Sequence, residues 1–238
     1  MTGAIWNRVK VIWVSSWLAF NTLLVALPIF FSTLGRTTGN FAFTMSRVWA
    51  WLLLQVTGVK VVVRGRRHIA PGQPYIIISN HRSHFDGPAL AVALGIQFRW
   101  IAKKELLRIP LFGRCLRLSR NIFIDRSNRQ SAIESINTGV AALPPGVSVM
   151  CFAEGTRAAD SEVGPFKKGC FAAALRHGLP ILPVSVRGSE RILPKGTVVV
   201  SKGIIELAIA EPIATEGMGL EAIDDLVAKT RHTIVTAL

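Results

Sequence analysis

From Val11 to Gly35 the chain carries no charge, reading "VIWVSSWLAFNTLLVALPIFFSTLG". A run of that length exceeds the ~20 apolar residues that a bilayer-spanning helix needs, so it restricts what the N-terminus can be. Ser15, Ser16, Asn21 and Pro28 interrupt it, and a second apolar stretch, Val48 to Val59, is too short to cross alone. Positive residues flank both stretches on both sides, so charge asymmetry sets no orientation. No small-x-small site follows the run, which argues against a cleaved signal peptide. The pattern predicts a helical hairpin over residues 1–58, embedded in or dipping into one leaflet, with Trp6, Trp13, Trp17, Trp49 and Trp51 at the interface. Ordinary core helices are the alternative reading of the same pattern.

Charge sharpens the choice of partner. Half of the 238 residues are hydrophobic, yet the formal net charge is +14. A basic, polar chain points to nucleic acid; a basic, apolar one points to an anionic membrane surface. One tyrosine and no recognisable RNA- or DNA-binding signature argue further against nucleic acid. The first acidic residue of the chain is Asp86, preceded by nine Lys and Arg residues from Arg8 to Arg82. Cys115, Cys151 and Cys170 are odd in number, widely spaced and form no CxxC pair. They predict buried reduced thiols, without disulfide or zinc, facing a reducing cytosol.

After Val59 the periodicity changes. Short β-branched runs appear: "VKVVVRG", "YIIIS", "FRWIA", "NIFI", "VSVMCF", "ILPVSV", "TVVVS" and "IIELAIA". Several are apolar throughout, as strands buried on both faces are. Helical segments fall between many of them: Pro88–Leu94, Glu105–Leu118, Arg129–Leu143, Lys168–His177 and Leu220–Thr236. Alternation of this kind predicts an α/β domain over residues 59–238, with a central, mostly parallel sheet and flanking helices. Such sheets place ligands at the carboxyl ends of their strands.

Two polar clusters stand at those ends. "SNHRSHFDGP", residues 79–88, follows the strand that ends in Ile76-Ile77-Ile78. It reads as a turn with a helix N-cap, or as a catalytic base with an orienting carboxylate. His81 and Asp86 would diverge by ~140° on one regular helix. They can meet only if His81 lies on the entering loop and Asp86 on the first helical turn. The carboxylate would then fix one imidazole tautomer and leave the other nitrogen basic. His84 lacks an equivalently spaced carboxylate and takes a helper or structural role. The second cluster, "CFAEGTRAADSEVGPFKKG", offers a flexible backbone at Gly155, a hydroxyl at Thr156 and a guanidinium at Arg157 suited to phosphate. Glu154 could orient a cation or contact a glycerol hydroxyl. Asp125, Arg126 and Arg129 close another strand, and Lys103, Lys104, Lys167 and Lys168 add cations. No HExxH, G-x-S-x-G or Walker sequence is present, so no metal or nucleotide site is expected; "GMGLEA" follows a polar run and lacks the strand a dinucleotide fingerprint requires.

In order and spacing these blocks resemble the glycerolipid acyltransferases, specifically the bacterial 1-acyl-glycerol-3-phosphate acyltransferases, from about Val59 to Gly188. "NHRSHFD" resembles the family's first block, "NIFIDR" its second, "FAEGTR" its third and "LPVSV", with Pro183, its fourth; "AKKELLRIPLFG" between the first two is also typical. The resemblance implies His81 as general base with Asp86 as its orienter. It implies Arg126, Glu154, Gly155, Thr156 and Arg157 as contacts to acceptor phosphate and glycerol, with Lys103 as an extra cation. It further implies an acyl-CoA or acyl carrier protein thioester as co-substrate, no cofactor, a lysophospholipid acceptor, and a catalytic domain on the cytoplasmic side of a bacterial inner membrane, against anionic lipids. Two positions depart from the family pattern. Arg120 stands where the second block opens with glycine, and Ala153 where the third has proline. Other lysolipid acceptors remain open, as does a non-catalytic protein that clamps anionic headgroups with the same cations.

Overall fold

Seven of the eight short apolar runs become strands of one sheet in the computed structural model, which describes residues 2–31, 38–157 and 162–238. The strands are β1 (Val59–Arg64), β2 (Ile76–Ser79), β3 (Phe98–Lys103), β4 (Ile122–Ile124), β5 (Ser148–Phe152), β6 (Ile181–Arg187) and β7 (Gly203–Ile209). The helices are α1 (Thr2–Phe31), α2 (Asn40–Val56), α3 (Asp86–Ala93), α4 (Phe112–Leu118), α5 (Arg129–Ala141), α6 (Gly169–His177), α7 (Ser189–Ile192) and α8 (Ile223–Thr236). The sheet order is β1-β7-β6-β2-β5-β3-β4, and every neighbouring pair is parallel except β6 with β7. The expected mostly parallel sheet with flanking helices is the architecture found, and of the expected N-terminal hairpin α1 is an apolar helix while α2 packs onto the sheet.

The period of two along each central strand divides the core. Ile77, Met150, Leu182 and Val184 face one side, against Phe43, Leu53 and Leu54 of α2 and Leu90 of α3. Ile76, Ile78, Val149 and Ile181 face the other, against Ile136 of α5, Phe171 of α6 and Ile234 of α8. Each fully buried aliphatic or aromatic side chain of this kind contributes about 1.5–3 kcal/mol relative to exposure. The helix α2 therefore belongs to the same core as the sheet, although the sequence pattern changes at Val59.

Helix α1 is different. Ile5, Trp6, Ile12, Trp13, Phe20, Leu23, Leu27 and Phe31 are exposed, while Val25, Ala26 and Ile29 are buried in its second half. The segment Ile5–Phe31 is, among the described residues, the one helix long and apolar enough to cross a membrane. Its polar positions are answered by α2. Asn21 donates to the Trp49 carbonyl at 3.1 Å, and the Trp49 indole donates to Thr22 at 3.1 Å. These bonds let Asn21 be buried without orphaning its amide nitrogen.

A buried arginine ties this region to the sheet. Arg99, at the start of β3, is wholly inaccessible. Its guanidinium donates to Gln97 and the Phe98 carbonyl through Nη1, and to the Thr38 carbonyl and the Asn40 side chain through Nη2. It also lies over the Phe43 ring, 5.4 Å from the centroid. Burial, and then the charge of Arg120, pushes its pKa down to about 10, so it stays protonated at neutral pH.

Three expectations are corrected. "TVVVS", residues 197–201, is not a strand: Val198 is 72% exposed, and an apolar run without a covering partner gains nothing from pairing. The segment Glu105–Leu118 is not one helix. Pro110 interrupts it, and Leu111 takes a positive φ of 62°, separating a 3-10 turn at Lys104–Arg108 from α4. Nor are all three cysteines reduced. Cys151 of β5 and Cys170 of α6 form a disulfide, with Cα atoms 6.7 Å apart, because both residues lie in the interior cluster between sheet and helix. Cys115 remains a free thiol, and burial pushes its pKa up.

Candidate active site

The strands β2, β5, β3 and β4 run parallel and adjacent, so their carboxyl ends share one edge. That edge gathers the ends of β2, β5, β3 and β4, which bring His81, Glu154 to Arg157, Lys103 and Arg126 to it respectively.

His81 lies on the loop leaving β2, and Asp86 is the first residue of α3. Asp86 is completely buried, and its Oδ2 lies 2.8 Å from His81 Nδ1. The same oxygen accepts backbone N–H groups of Arg82 at 2.7 Å and Ser83 at 2.9 Å. A carboxylate can only accept, so Nδ1 carries the proton and Nε2 is left as the basic nitrogen. The imidazole keeps 19% of its side-chain surface exposed, enough for a substrate hydroxyl to reach it. The ring is stacked on Phe152, with centroids 3.9 Å apart and planes 13° apart, and Phe152 in turn stacks on Trp100 at 5.7 Å. Neither aromatic was singled out by sequence, because an aromatic in a strand pattern reads as core.

Asn80, within the segment that reads from sequence as a turn, anchors the loop. Its amide nitrogen donates to the Val186 carbonyl and its oxygen accepts the Val186 N–H, both at 2.8 Å, which pins the end of β2 to β6. Ser83 donates to the Leu193 carbonyl at 2.9 Å. His81 thus sits on a loop fixed from two sides.

His84 has no such partner set. It is exposed on one side, and partial desolvation followed by the charges of Arg157 and His81 holds its pKa below the ordinary 6.5, with Asp86 opposing.

The loop after β5 is held at several points. Glu154 Oε1 accepts the His81 backbone N–H at 2.8 Å, and Oε2 accepts the Gly164 N–H at 2.9 Å. The Gly155 carbonyl accepts a hydrogen bond from Arg126, and the Ala153 carbonyl accepts the Lys167 N–H at 2.8 Å. Gly155 has φ 77°, a left-handed conformation that disfavours a side chain, and the Lys167 chain passes over it. Thr156 is exposed at the tip, and the Arg157 carbonyl accepts from Lys195 at 3.1 Å. Lys103 pairs loosely with Glu105 at 3.5 Å, both half exposed, and Lys104 pairs with Asp125. That ion pair and the hydrogen bonds from Ser127 hold the Asp125 carboxyl well below the usual carboxylate range.

Beside this loop lies a cavity of about 460 Å³ between β5 and the helices α5 and α6. Apolar Ile124, Ile133 and Phe166 line it together with Arg126, Arg129 and Lys167. Phe152 is part of its wall, so the cavity reaches the residue on which His81 stacks. Among the described residues no cluster of His, Cys, Asp and Glu could hold a metal ion.

The first departure from the family pattern has a structural consequence. Arg120 takes φ 54°, the left-handed region in which glycine is unstrained. The backbone keeps the conformation for which glycine is suited, and the arginine bears its cost. Ala153 is buried, and nothing in the structure requires proline there.

The acyltransferase family model matches residues 60–187. The human 1-acyl-sn-glycerol-3-phosphate acyltransferase alpha is 31% identical over 232 residues, which cover 95% of this chain and 79% of that one. The Saccharomyces cerevisiae 1-acyl-sn-glycerol-3-phosphate acyltransferase is 33% identical over 196 residues, covering 81% of this chain and 64% of that one. Among solved structures, the 1-acyl-sn-glycerophosphate acyltransferase of Thermotoga maritima superposes with a TM-score of 0.76 at 24% identity, over 96% of this chain and 98% of that chain.

Proposed function

Since this chain belongs to the acyltransferase family and is an acyltransferase, we propose that it esterifies the free hydroxyl of 1-acyl-glycerol-3-phosphate with an acyl group from a thioester, giving phosphatidic acid. The observation that carries the reading is the His81–Asp86 pair, 2.8 Å apart, on the sheet edge that also bears Arg126 and Arg157. A protein that only clamps anionic headgroups needs the cations and has no use for an oriented base. The names of the human and yeast relatives support that choice of acceptor.

In this reading His81 Nε2 takes the proton of the acceptor hydroxyl as its oxygen attacks the thioester carbonyl. The tetrahedral oxyanion collapses, the C–S bond breaks, and the proton held by the imidazolium returns to the leaving thiolate. Asp86 stabilises the imidazolium between the two steps. Arg126, Gly155, Thr156 and Arg157 receive the phosphate and glycerol, with Lys103 as a further cation. A coenzyme A or acyl carrier protein thioester is the donor, and no cofactor is required. The exposed apolar face of α1 and the basic surface hold the enzyme on an anionic membrane, where its acceptor resides.

The test is an acyl-transfer assay on lysophosphatidic acid and on lysolipids whose phosphate is capped or absent, with both donor classes. A guanidinium engages two phosphate oxygens where an ammonium presents a point charge. Arg157→Lys should therefore raise KM for lysophosphatidic acid by about tenfold or more, from a loss of about 1.5–3 kcal/mol. Equal fractional loss on all acceptors would remove the assignment of that acceptor.

A further inference from the structure

We propose that Glu154 is a positioning residue that ties the acceptor loop to the general base, in place of the substrate contact expected of it. The inference rests on the proposed function and deepens it. Both carboxylate oxygens of Glu154 are engaged by backbone, Oε1 by the His81 N–H and Oε2 by the Gly164 N–H. Those two amides belong to different segments. His81 lies on the loop between β2 and α3, and Gly164 lies on the segment that leads into α6.

The carboxylate is therefore a bridge. It accepts one charge-assisted hydrogen bond from each segment, and such bonds are roughly twice as strong as neutral ones. Around it the acceptor loop is fixed by Arg126 on the Gly155 carbonyl and by the Lys167 N–H on the Ala153 carbonyl. The base is fixed by Asp86 on Nδ1 and by Phe152 on its face. Phe152 and Glu154 are two residues apart on the same strand end, so β5 sets both the plane of the imidazole and the position of its backbone. A ligand drawn into the acceptor loop can thus move, or be refused by, the nitrogen that must meet its hydroxyl. Glutamine retains one acceptor oxygen and turns an NH₂ towards an N–H donor, so it breaks one side of the bridge. Aspartate is one methylene shorter and cannot span both amides.

Two readouts test this with the full chain. In steady-state assays with lysophosphatidic acid and an acyl thioester, Glu154→Gln and Glu154→Asp should lower kcat by about 10²-fold, the scale of a small misplacement of a catalytic group. The acceptor KM should change by less than about threefold, in contrast with Arg157→Lys. Hydrogen exchange gives the second readout, independent of activity. The His81 and Gly164 amides should be protected in the wild type, and Glu154→Gln should speed exchange in the peptides that contain them, leaving the core strands unchanged. A raised acceptor KM with kcat intact would show that Glu154 touches the acceptor and overturn the proposal. Rapid exchange of both amides in the wild type would overturn it even where a variant fails to fold. A wild-type protein inactive on every lysolipid and donor would instead refute the proposed function, and the exchange data would still decide the bridge.

Discussion

Asp86 Oδ2 receives three hydrogen bonds at once, from His81 Nδ1 and from the backbone N–H groups of Arg82 and Ser83, all within 2.9 Å. One buried oxygen therefore shapes the loop and orients the His81 imidazole, the proposed base. The two duties separate by substitution. Asp86→Asn keeps an acceptor oxygen and removes the charge that stabilises the imidazolium. It should lower turnover by about 10²-fold or more with little change in the melting midpoint. Asp86→Ala orphans buried donors and should in addition destabilise the fold by about 2 kcal/mol or more. Turnover and thermal unfolding measured on both variants decide it. Equal destabilisation by the two would show that charge carries the fold.

His84 provides a pH prediction. Its pKa is depressed in the folded protein by partial desolvation and by the charges of Arg157 and His81. Between that depressed value and the ordinary 6.5, the unfolded chain binds more protons than the folded one. The stability it contributes is thus present above pH 6.5 and lost as the pH falls through the folded value. An NMR titration of the imidazole should find the His84 midpoint below 6.5, and Arg157→Ala should move it upwards. A wild-type midpoint at or above 6.5 would place Arg157 elsewhere.

Membrane binding should follow the exposed face of α1. Trp13, Phe20 and Leu24 are each more than half exposed and make no part of the inner core. Replacing all three with serine should release the protein from anionic liposomes in flotation, with circular dichroism unchanged. Removing residues 1–58 is a poorer test, because it strips α2 from the core and exposes Leu90 and Phe98. Undiminished flotation of the triple variant would assign anchoring to another surface.

The sheet and the His81–Asp86 contact were legible in the sequence because they rest on local pattern. Uninterrupted β-branched runs such as Ile76–Ile78 have one stable place, inside a doubly covered sheet. The five-residue interval from His81 to Asp86 closes only across a loop-to-helix junction, which is where both residues lie. What was not legible depends on contacts distant in the chain. The Cys151–Cys170 disulfide needs β5 beside α6. The double hydrogen bond of Asn80 needs β6 beside β2. The strained turn at Leu111 divides a segment whose composition alone suits one helix, and the proline before it was the overlooked signal.

Arg99 is the least expected of these contacts. Among the described residues it has no carboxylate partner, and its charge is met by carbonyls, the side chains of Gln97 and Asn40, and the Phe43 ring. Arg99→Met should leave the Thr38 carbonyl and the Asn40 side chain unsatisfied. A loss of about 3 kcal/mol is expected, which lowers the melting midpoint by about 6–12 °C. Arg99→Lys should not restore it, because an ammonium lacks the planar fork that reaches both segments. A midpoint unchanged in Arg99→Met would mean that the start of α2 is held without it.

The most direct test of the central claim is single-turnover acyl transfer from a thioester to lysophosphatidic acid, comparing wild type with His81→Ala and His84→Ala on liposomes. The account predicts that His81→Ala loses about 10²- to 10⁴-fold in rate while binding the membrane normally. It predicts that His84→Ala is milder, and that acid-quenched wild type carries no covalent acyl group. An active His81→Ala protein, or an acyl-enzyme trapped in the quench, would contradict it.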